Sequence, residues 1–437
     1  MPVSWKKTQD LVAYVNARLL DPASGLDEPG GVLTDGEEIV DFGPSLHSGS
    51  VPDGVRSVDC GGHCLCPGLV DMRVQLRDPG EDHKGTLIST GQAATAGGVT
   101  SLVCLPNTNP VIDDMSIVEF IARRARMLGL AKVYPYGAIT KGLEGGQLAE
   151  MGLLAESGAV AFTDGKKSIA DAQIMRRALA YSSIFPLLIV EHAEEPTLGG
   201  GSMNAGETAT RMGLSGIPRE AEIIMVERDI RLVEMTGGRL HFAHISTSGA
   251  VEVIRAAKAR GLPITCDTAP PYFALNEMEV LDYRTFAKLS PPLRSETDRL
   301  AIIEGLKDGT IDAIASDHSP QDEDTKRLPF PQAAFGGVGL ETLLPVSLSL
   351  VQNGDMELLD VLKLITSAPA DLMGLSAGRL EKSAAADLMV FDPENIWKVD
   401  ANSLRSIAKN SPFDERPVQG RVLRTVVDGR TVFEDGD

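Results

Sequence analysis

Asp164, His192, His244 and Asp317 each stand at the end of, or just past, an apolar β-rich run of this chain, and His318 follows Asp317. Only seven histidines occur, and His192, His244 and His318 are three of them. Carboxylates and imidazoles converging on one rim suit a divalent metal such as zinc. Such an ion lowers the pKa of bound water and polarises a carbonyl. Taken alone, His244 in LHFAHIST reads equally well as a hydrogen-bonded core residue. Its coincidence with the other strand ends favours a rim that descends from a metal site. His241, three residues before His244, is expected to face the opposite side and pack between strand and helix. His47, His63 and His83 have no partner in sequence and receive no role.

The elements that must position these side chains repeat one pattern. Pro67 to Pro110 reads as strand, helix, strand, with Gly97-Gly98 ending the helix. Polar residues crowd the end of each strand: Arg73, Gln75, Arg77 and Asp78 after the first, Asn107, Thr108 and Asn109 after the second. Polar groups just past parallel strands are where α/β barrels keep their chemistry. Eight apolar runs recur, at 68–76, 99–105, 132–139, 159–163, 187–192, 240–244, 264–268 and 311–316. Helical periodicity separates several of them, as over 171–181, 219–236, 250–259 and 298–307. The pattern predicts a closed (β/α)8 barrel of the TIM type. The rival, an open doubly wound sheet, would usually show a glycine-rich phosphate loop after its first strand, and none is here. Leu198 to Gly206 is expected to be a loop over the barrel mouth.

Both chain ends read as short strands with Asp-Gly turns at Asp35-Gly36, Asp53-Gly54 and Asp428-Gly429. Neither end is long enough for an independent β domain. The expectation is one small β-sandwich built by residues 1–66 and 378–437, flanking a barrel over 67–377. The length of 437 residues, 43% hydrophobic, suffices for this. A net charge of −20 argues against nucleic acid as a partner. The five cysteines are expected to be free thiols in a reducing compartment, with Cys64-Leu65-Cys66 a packed strand rather than a metal clip. The N-terminus MPVSWKKTQD lacks the apolar run of a secretory signal, and no run of about 18 apolar residues exists to span a membrane. The expected location is the cytoplasm.

PGLVDMRVQLRDPG, PNTNPVIDD, VAFTDG, EHAEE, HFAHISTSG, SPPLRSETDR and IDAIASDHSP, in this order, resemble the dihydroorotase family. The resemblance covers nearly the whole chain and is to the branch that associates with aspartate carbamoyltransferase. It implies an amidohydrolase-superfamily barrel with a two-ended β-sandwich. It also implies reversible cyclisation of N-carbamoyl-L-aspartate to dihydroorotate in pyrimidine synthesis. By resemblance, Asp164 is the bridging carboxylate between two metals, His192 and His244 ligate one of them, and Asp317 is the general base. Arg77 resembles the arginine that forks onto the substrate carboxylate, and Asn107 its amide partner. The plainer alternative is that Arg77 pairs with Asp78 or Glu81 and Asn107 fixes a turn.

The family's first strand ends in His-x-His, where this chain has Arg73-Val74-Gln75. Arginine stays protonated and cannot ligate a metal. Two further departures are Pro270-Pro271-Tyr272 for Pro-His-His, and Gln321 for the last histidine of the eighth-strand motif. The resemblance therefore implies a barrel with a dismantled metal centre, a catalytically impaired partner of aspartate carbamoyltransferase in a homo- or hetero-oligomer. The alternative is a working dihydroorotase with at most one zinc, on Asp164, His192 and His244. A hydantoinase or allantoinase ranks below both. Those usually carry a fourth-strand lysine, whereas Lys166 and Lys167 fall beyond the strand.

Overall fold

The computed structural model describes residues 10–46, 55–185 and 187–436. The expected (β/α)8 barrel is present. Seven staves are Leu69–Val74, Val99–Cys104, Lys132–Pro135, Leu188–His192, Arg239–Ala243, Ile264–Thr268 and Ala313–Ile314, paired in parallel. The fourth is reduced to Phe162, which bridges Gly137 on one side and Ile189 on the other. The ring closes where Val74 bridges His318, and Gln75 N donates to His318 O at 2.8 Å.

Alternation along the staves separates two cores. Val70, Met72, Val103, Tyr136, Val190 and Ala243 fill the lumen. Val74, Leu76, Cys104, Ile189, Leu240 and Phe242 pack in the outer core with the helices. Arg73 and Gln75, on either side of Val74, therefore point inward. The first stave also breaks register against the second between Asp71 and Val74. Helix ends follow local chemistry. Asp171 caps Ala172–Ser182 by accepting from Gln173 N, Ser295 caps Glu296–Lys307, and Thr86 with Ser89 forms a capping box on Leu87–Ala96.

The two chain ends meet in one eight-stranded sheet. Leu388–Lys398 pairs antiparallel with Cys64–Pro67, which pairs in parallel with Leu11–Asp21. Tyr14, Leu19, Val32, Leu65, Leu388 and Val426 give it a core of its own. It rests on the barrel at Gly98, where a side-chain carbon would lie 2.1 Å from Met389 Sδ. Thr425 Oγ1 donates to Thr95 O at 2.7 Å beside it.

The Leu198–Gly206 segment is more than a loop: Met203–Asn204 pairs in parallel with Gly216–Ile217. All five cysteines are buried and free. No described helix is long and apolar enough to cross a membrane. His47, the Asp53-Gly54 turn and the first nine residues lie outside the described residues.

Candidate functional site

Arg73 is the centre of the rim. Its side chain is 1% exposed, Nε donates to Asp317 Oδ1 at 3.2 Å, and Nη2 donates to Gly165 O at 3.0 Å. Its Nη1 is buried without a partner. Gln75 does not reach into this contact. Its Oε1 accepts from Ser319 Oγ at 2.8 Å, and that hydroxyl accepts from Lys166 Nζ at 2.7 Å.

His192 and His244 are brought together. His192 Nδ1 lies 2.7 Å from His244 Nε2, with the rings edge to face. One ring donates and the other accepts, so the accepting ring is neutral. Burial, followed by the nearby Arg73 charge, pushes His192 down to about 3 and His244 well below its ordinary value. His244 Nδ1 faces Asp317 Oδ1 at 3.8 Å and has no hydrogen-bond partner. His244 and Asp317 both adopt left-handed backbone, with φ of 42° and 46°. Such conformations cost roughly 1–3 kcal/mol and cluster at working sites. Burial raises the Asp317 carboxyl, opposed by Lys166 and Arg73.

Asp164 stands apart from this group. Its Oδ1 accepts from Ile139 N at 3.0 Å and Thr140 N at 2.9 Å, and its Oδ2 accepts from the Thr140 hydroxyl. Burial raises its carboxyl despite these bonds.

The rim as arranged does not fit zinc. Two nitrogens on a tetrahedral zinc at about 2.0–2.1 Å would stand roughly 3.3 Å apart, whereas those of His192 and His244 are bonded to each other. Asp164 has both oxygens engaged elsewhere, and a guanidinium lies against Asp317. Among the described residues, no group of three or more His, Cys, Asp or Glu could hold a metal ion.

The carboxylate-binding candidates flank Lys166 and Gly165. Arg77 is buried. Nε donates to Pro320 O at 2.8 Å, Nη1 donates to Glu81 Oε2 at 2.5 Å, and Nη2 has no partner. The pairing with Glu81 forms, while Asp78 pairs with Arg124 instead. Asn107 packs against Gly165, where an added side-chain carbon would lie 3.6 Å from its Cβ, and its Oδ1 is buried without a partner. Burial pushes Lys166 down to about 8. Asp317 opposes the fall, and Arg77 and Arg73 add to it.

The remaining departures serve structure. Tyr272 OH donates to Pro291 O at 2.9 Å, and Gln321 Nε2 donates to Phe335 O at 2.8 Å. His318 Nδ1 accepts from Gly339 N at 3.2 Å.

His241 corrects an expectation. Its outward neighbours Leu240 and Phe242 leave it facing the lumen, where Nδ1 meets Thr265 Oγ1 at 2.8 Å and Nε2 meets Asp267 Oδ2 at 3.0 Å. Asp267 Oδ1 also accepts from His244 N. The parity rule failed because His244 leaves the extended conformation. Lys166, Ser319 and Thr140 had no signal by residue type. Only closure of the ring brings them to the rim.

Residues 62–250 match the family described as Dihydro-orotase-like, and residues 218–432 the Amidohydrolase family. A protein of Anaplasma phagocytophilum (strain HZ) named Dihydroorotase is 46% identical over 426 residues, 97% of this chain and 95% of that protein. One of Syntrophotalea carbinolica with the same name is 45% identical, over 98% of this chain and all of that protein (100%). Among solved structures, the L-hydantoinase (dihydropyrimidinase) of Arthrobacter aurescens superposes with a TM-score of 0.87. It is 26% identical and covers 98% of this chain and 97% of its own.

Proposed function

This chain belongs to the dihydroorotase family, and from that premise we propose that it has given up metal-dependent ring chemistry and serves aspartate carbamoyltransferase as a structural or regulatory partner in pyrimidine biosynthesis. The observation that carries the reading is the buried Arg73–Asp317 pair. A guanidinium stays charged. At 4 Å and an effective dielectric of 20 it would repel a divalent cation by about 8 kcal/mol. Its Nε also holds the carboxylate that, by resemblance, would carry the proton in cyclisation. The buried free thiols support a reducing, cytoplasmic setting. The partnership rests on the resemblance to the associated branch.

The second reading, a working dihydroorotase with one zinc on Asp164, His192 and His244, is favoured by the names of the relatives. It requires Thr140 to release Asp164 and the imidazole pair to part. A hydantoinase-like bridge has no support at the lysines, since Lys166 bonds Ser319 and Lys167 Nζ donates to Leu143 O at 3.1 Å.

Zinc analysis of the purified protein with a spectrophotometric dihydroorotate hydrolysis assay decides between them. The expected result is substoichiometric zinc and turnover below about 1 per second, the low end of the ordinary enzyme range. Tight zinc with turnover inside that range overturns the proposal. Co-expression with aspartate carbamoyltransferase is expected to yield a complex that survives gel filtration. Separate elution of the two proteins removes the partnership.

A further inference from the structure

We propose that a cleft at the foot of the barrel binds a nucleoside phosphate, with three guanidiniums taking the phosphates and an apolar floor taking the base. The cleft lies at the opposite end of the staves from the rim, so the inference goes beyond any role of the mouth.

The first support is the size and place of the cleft. It holds about 1080 Å³, near the upper end of the roughly 300–1,000 Å³ that ligand pockets occupy. The helix Met115–Leu128 forms one wall, and the stave Lys132–Pro135 forms the floor. The turn before Arg430–Glu434 closes the other side. Leu130, Val133, Tyr134, Val160, Leu375 and Val427 make much of its surface apolar. Gly129, Gly158 and Gly374, all at positive φ, keep its edges free of side chains. An open slot with such walls admits a planar ring.

The second support is charge that the fold leaves uncommitted. Arg123 and Arg126 stand three residues apart on the helix, so they share a face. Arg430 reaches over from the sheet to Gly129, where an added side-chain carbon would lie 3.4 Å from its Nη1 and Nη2. The carbonyl end of the helix favours a cation there. Even so, among the described residues none of the three forks makes a hydrogen bond or an ion pair. The whole set of charges is mixed rather than basic. Lys132 is held by Asp387 and Asp428, each at 2.7 Å. Glu37 and Glu119 line the cleft, and neither side chain has a partner among the described residues. Four cations thus meet four carboxylates, and net field does not choose the ligand. A plain polyanion is repelled by the two free carboxylates, and a plain cation by the three forks. A nucleoside phosphate suits both. Its phosphate oxygens match guanidinium forks. Its sugar hydroxyls donate to carboxylates, and its base covers the apolar floor.

The third support is what such a ligand would join. Arg123 and Arg126 belong to the barrel, whereas Arg430 and Glu37 belong to the sheet and its turns. Lys132 already ties the two parts through Asp387 and Asp428. A ligand held from both sides adds a second tie, and binding to the folded form alone raises the melting temperature. Barrels keep their chemistry at the other face, so binding without turnover follows.

The test is calorimetric titration of the full chain at physiological salt, without divalent metal. The probes are adenosine diphosphate, uridine diphosphate, adenosine, uridine and pyrophosphate. Saturable binding of at least one nucleoside diphosphate is expected, with its nucleoside and pyrophosphate each at least tenfold weaker. The bound nucleotide is also expected to raise the melting temperature. Arg123→Ala with Arg126→Ala, and Arg430→Ala alone, are each expected to weaken binding at least tenfold. Arg211→Ala, which removes the same charge from an exposed pair with Glu207, is expected to leave it unchanged. Failure of both nucleotides to bind, or pyrophosphate binding as tightly as the nucleotide, overturns the inference. So does an unchanged affinity in both arginine variants, or an equal loss in Arg211→Ala.

Discussion

At the scale of single residues, Arg73 is both an obstacle and a support. Removing it as Arg73→Met takes from Asp317 the cation that hydrogen-bonds it and leaves Lys166 as the nearby charge. Breaking a buried pair from one side typically costs about 3–5 kcal/mol, and a urea midpoint lowered at unchanged slope would register it. Replacing it usefully is a different experiment. Arg73→His with Gln75→His restores two imidazoles to the first stave and is expected to tighten zinc binding, measured by competition with a chromophoric chelator. Adding Thr140→Val frees one oxygen of Asp164 and is expected to tighten it again. No gain in either variant would shift the cause to Tyr272 and Gln321. Asp71 supplies a pH test. It is wholly buried, and burial raises it to about 7, against about 3.9 in an unfolded chain. Its neutral form is the one the fold favours, so its contribution is complete below about pH 4 and is lost as pH rises through about 7. Asp71→Asn lacks that loss. Its stability relative to the parent should rise between pH 4 and 7, and a constant gap across that window would clear Asp71 of the titration. What was legible at this scale was residue type at a strand end: Asp164, His192, His244 and Asp317 all lie where the staves stop. That Asp164 turns to Thr140, and that Lys166 turns to Ser319, depends on side-chain direction across the closed ring, which one-dimensional spacing does not carry.

At the scale of elements, periodicity located the helices to within a few residues because caps and apolar stripes coincide, as at Asp171 and at Gly237 after Glu220–Thr236. The fourth stave shows the limit. Its run, Ala159 to Thr163, is apolar and β-rich, yet it lies between Gly158 and Gly165, both at positive φ, and only Phe162 bridges its neighbours. The mouth segments were less legible still, since their order comes from one buried carboxylate. Glu222, in the first turn of Glu220–Thr236, accepts from the backbone and hydroxyls of Ser246 and Thr247, with distances from 2.5 to 3.2 Å. Ser246 Oγ accepts from Arg294 Nε at 3.1 Å, and Arg294 Nη1 reaches Asn204 Oδ1 and Ile217 O. One helix end thus fixes the loop after the sixth stave and, through Arg294, the Met203–Ile217 excursion. Glu222→Ala leaves several of these donors unmatched and takes from Arg294 the first of three nearby carboxylates, Asp298 and Glu194 remaining. A loss of at least about 3 kcal/mol is expected from hydrogen bonds to a charged group. Thr86→Ala, which removes one helix cap, should cost only about 1 kcal/mol. Parallel urea titrations rank the two, and equal losses would mean that Glu222 serves only its own helix turn.

At the scale of the whole molecule, the barrel and the sheet are one cooperative body, because each covers what the other exposes. Cys64–Pro67 hands the chain from sheet to barrel, and Leu388–Lys398 returns to pair with it from the far end of the sequence. Strand patterns and Asp-Gly turns announced strands at both ends; their pairing was inferred from each end being too short to stand alone. What spacing could not announce was how deeply the sheet enters the barrel's core. Met389, Phe391 and Val422 belong to the same apolar cluster as the outer faces of the staves. Gly98 has no side chain, so Met389 sits where one would be. Two truncations separate decoration from structure. Ending the chain after residue 429 removes Arg430–Glu434, an edge strand with no buried residue, and should leave a soluble protein with a lower melting temperature. Ending it after residue 416 also removes Pro417–Val427, which contributes Val422 to the main core and Thr425 to the contact with Thr95. That cut leaves Leu388–Lys398 as an uncovered edge and opens the helix-side core at Gly98. An exposed apolar edge of this kind invites association, so the shorter chain is expected to be recovered as aggregate, without a cooperative melt. A soluble chain ending at residue 416 with a sharp transition would show that Pro417–Val427 is an appendage, and the barrel with the six remaining strands would then have to be stable without it.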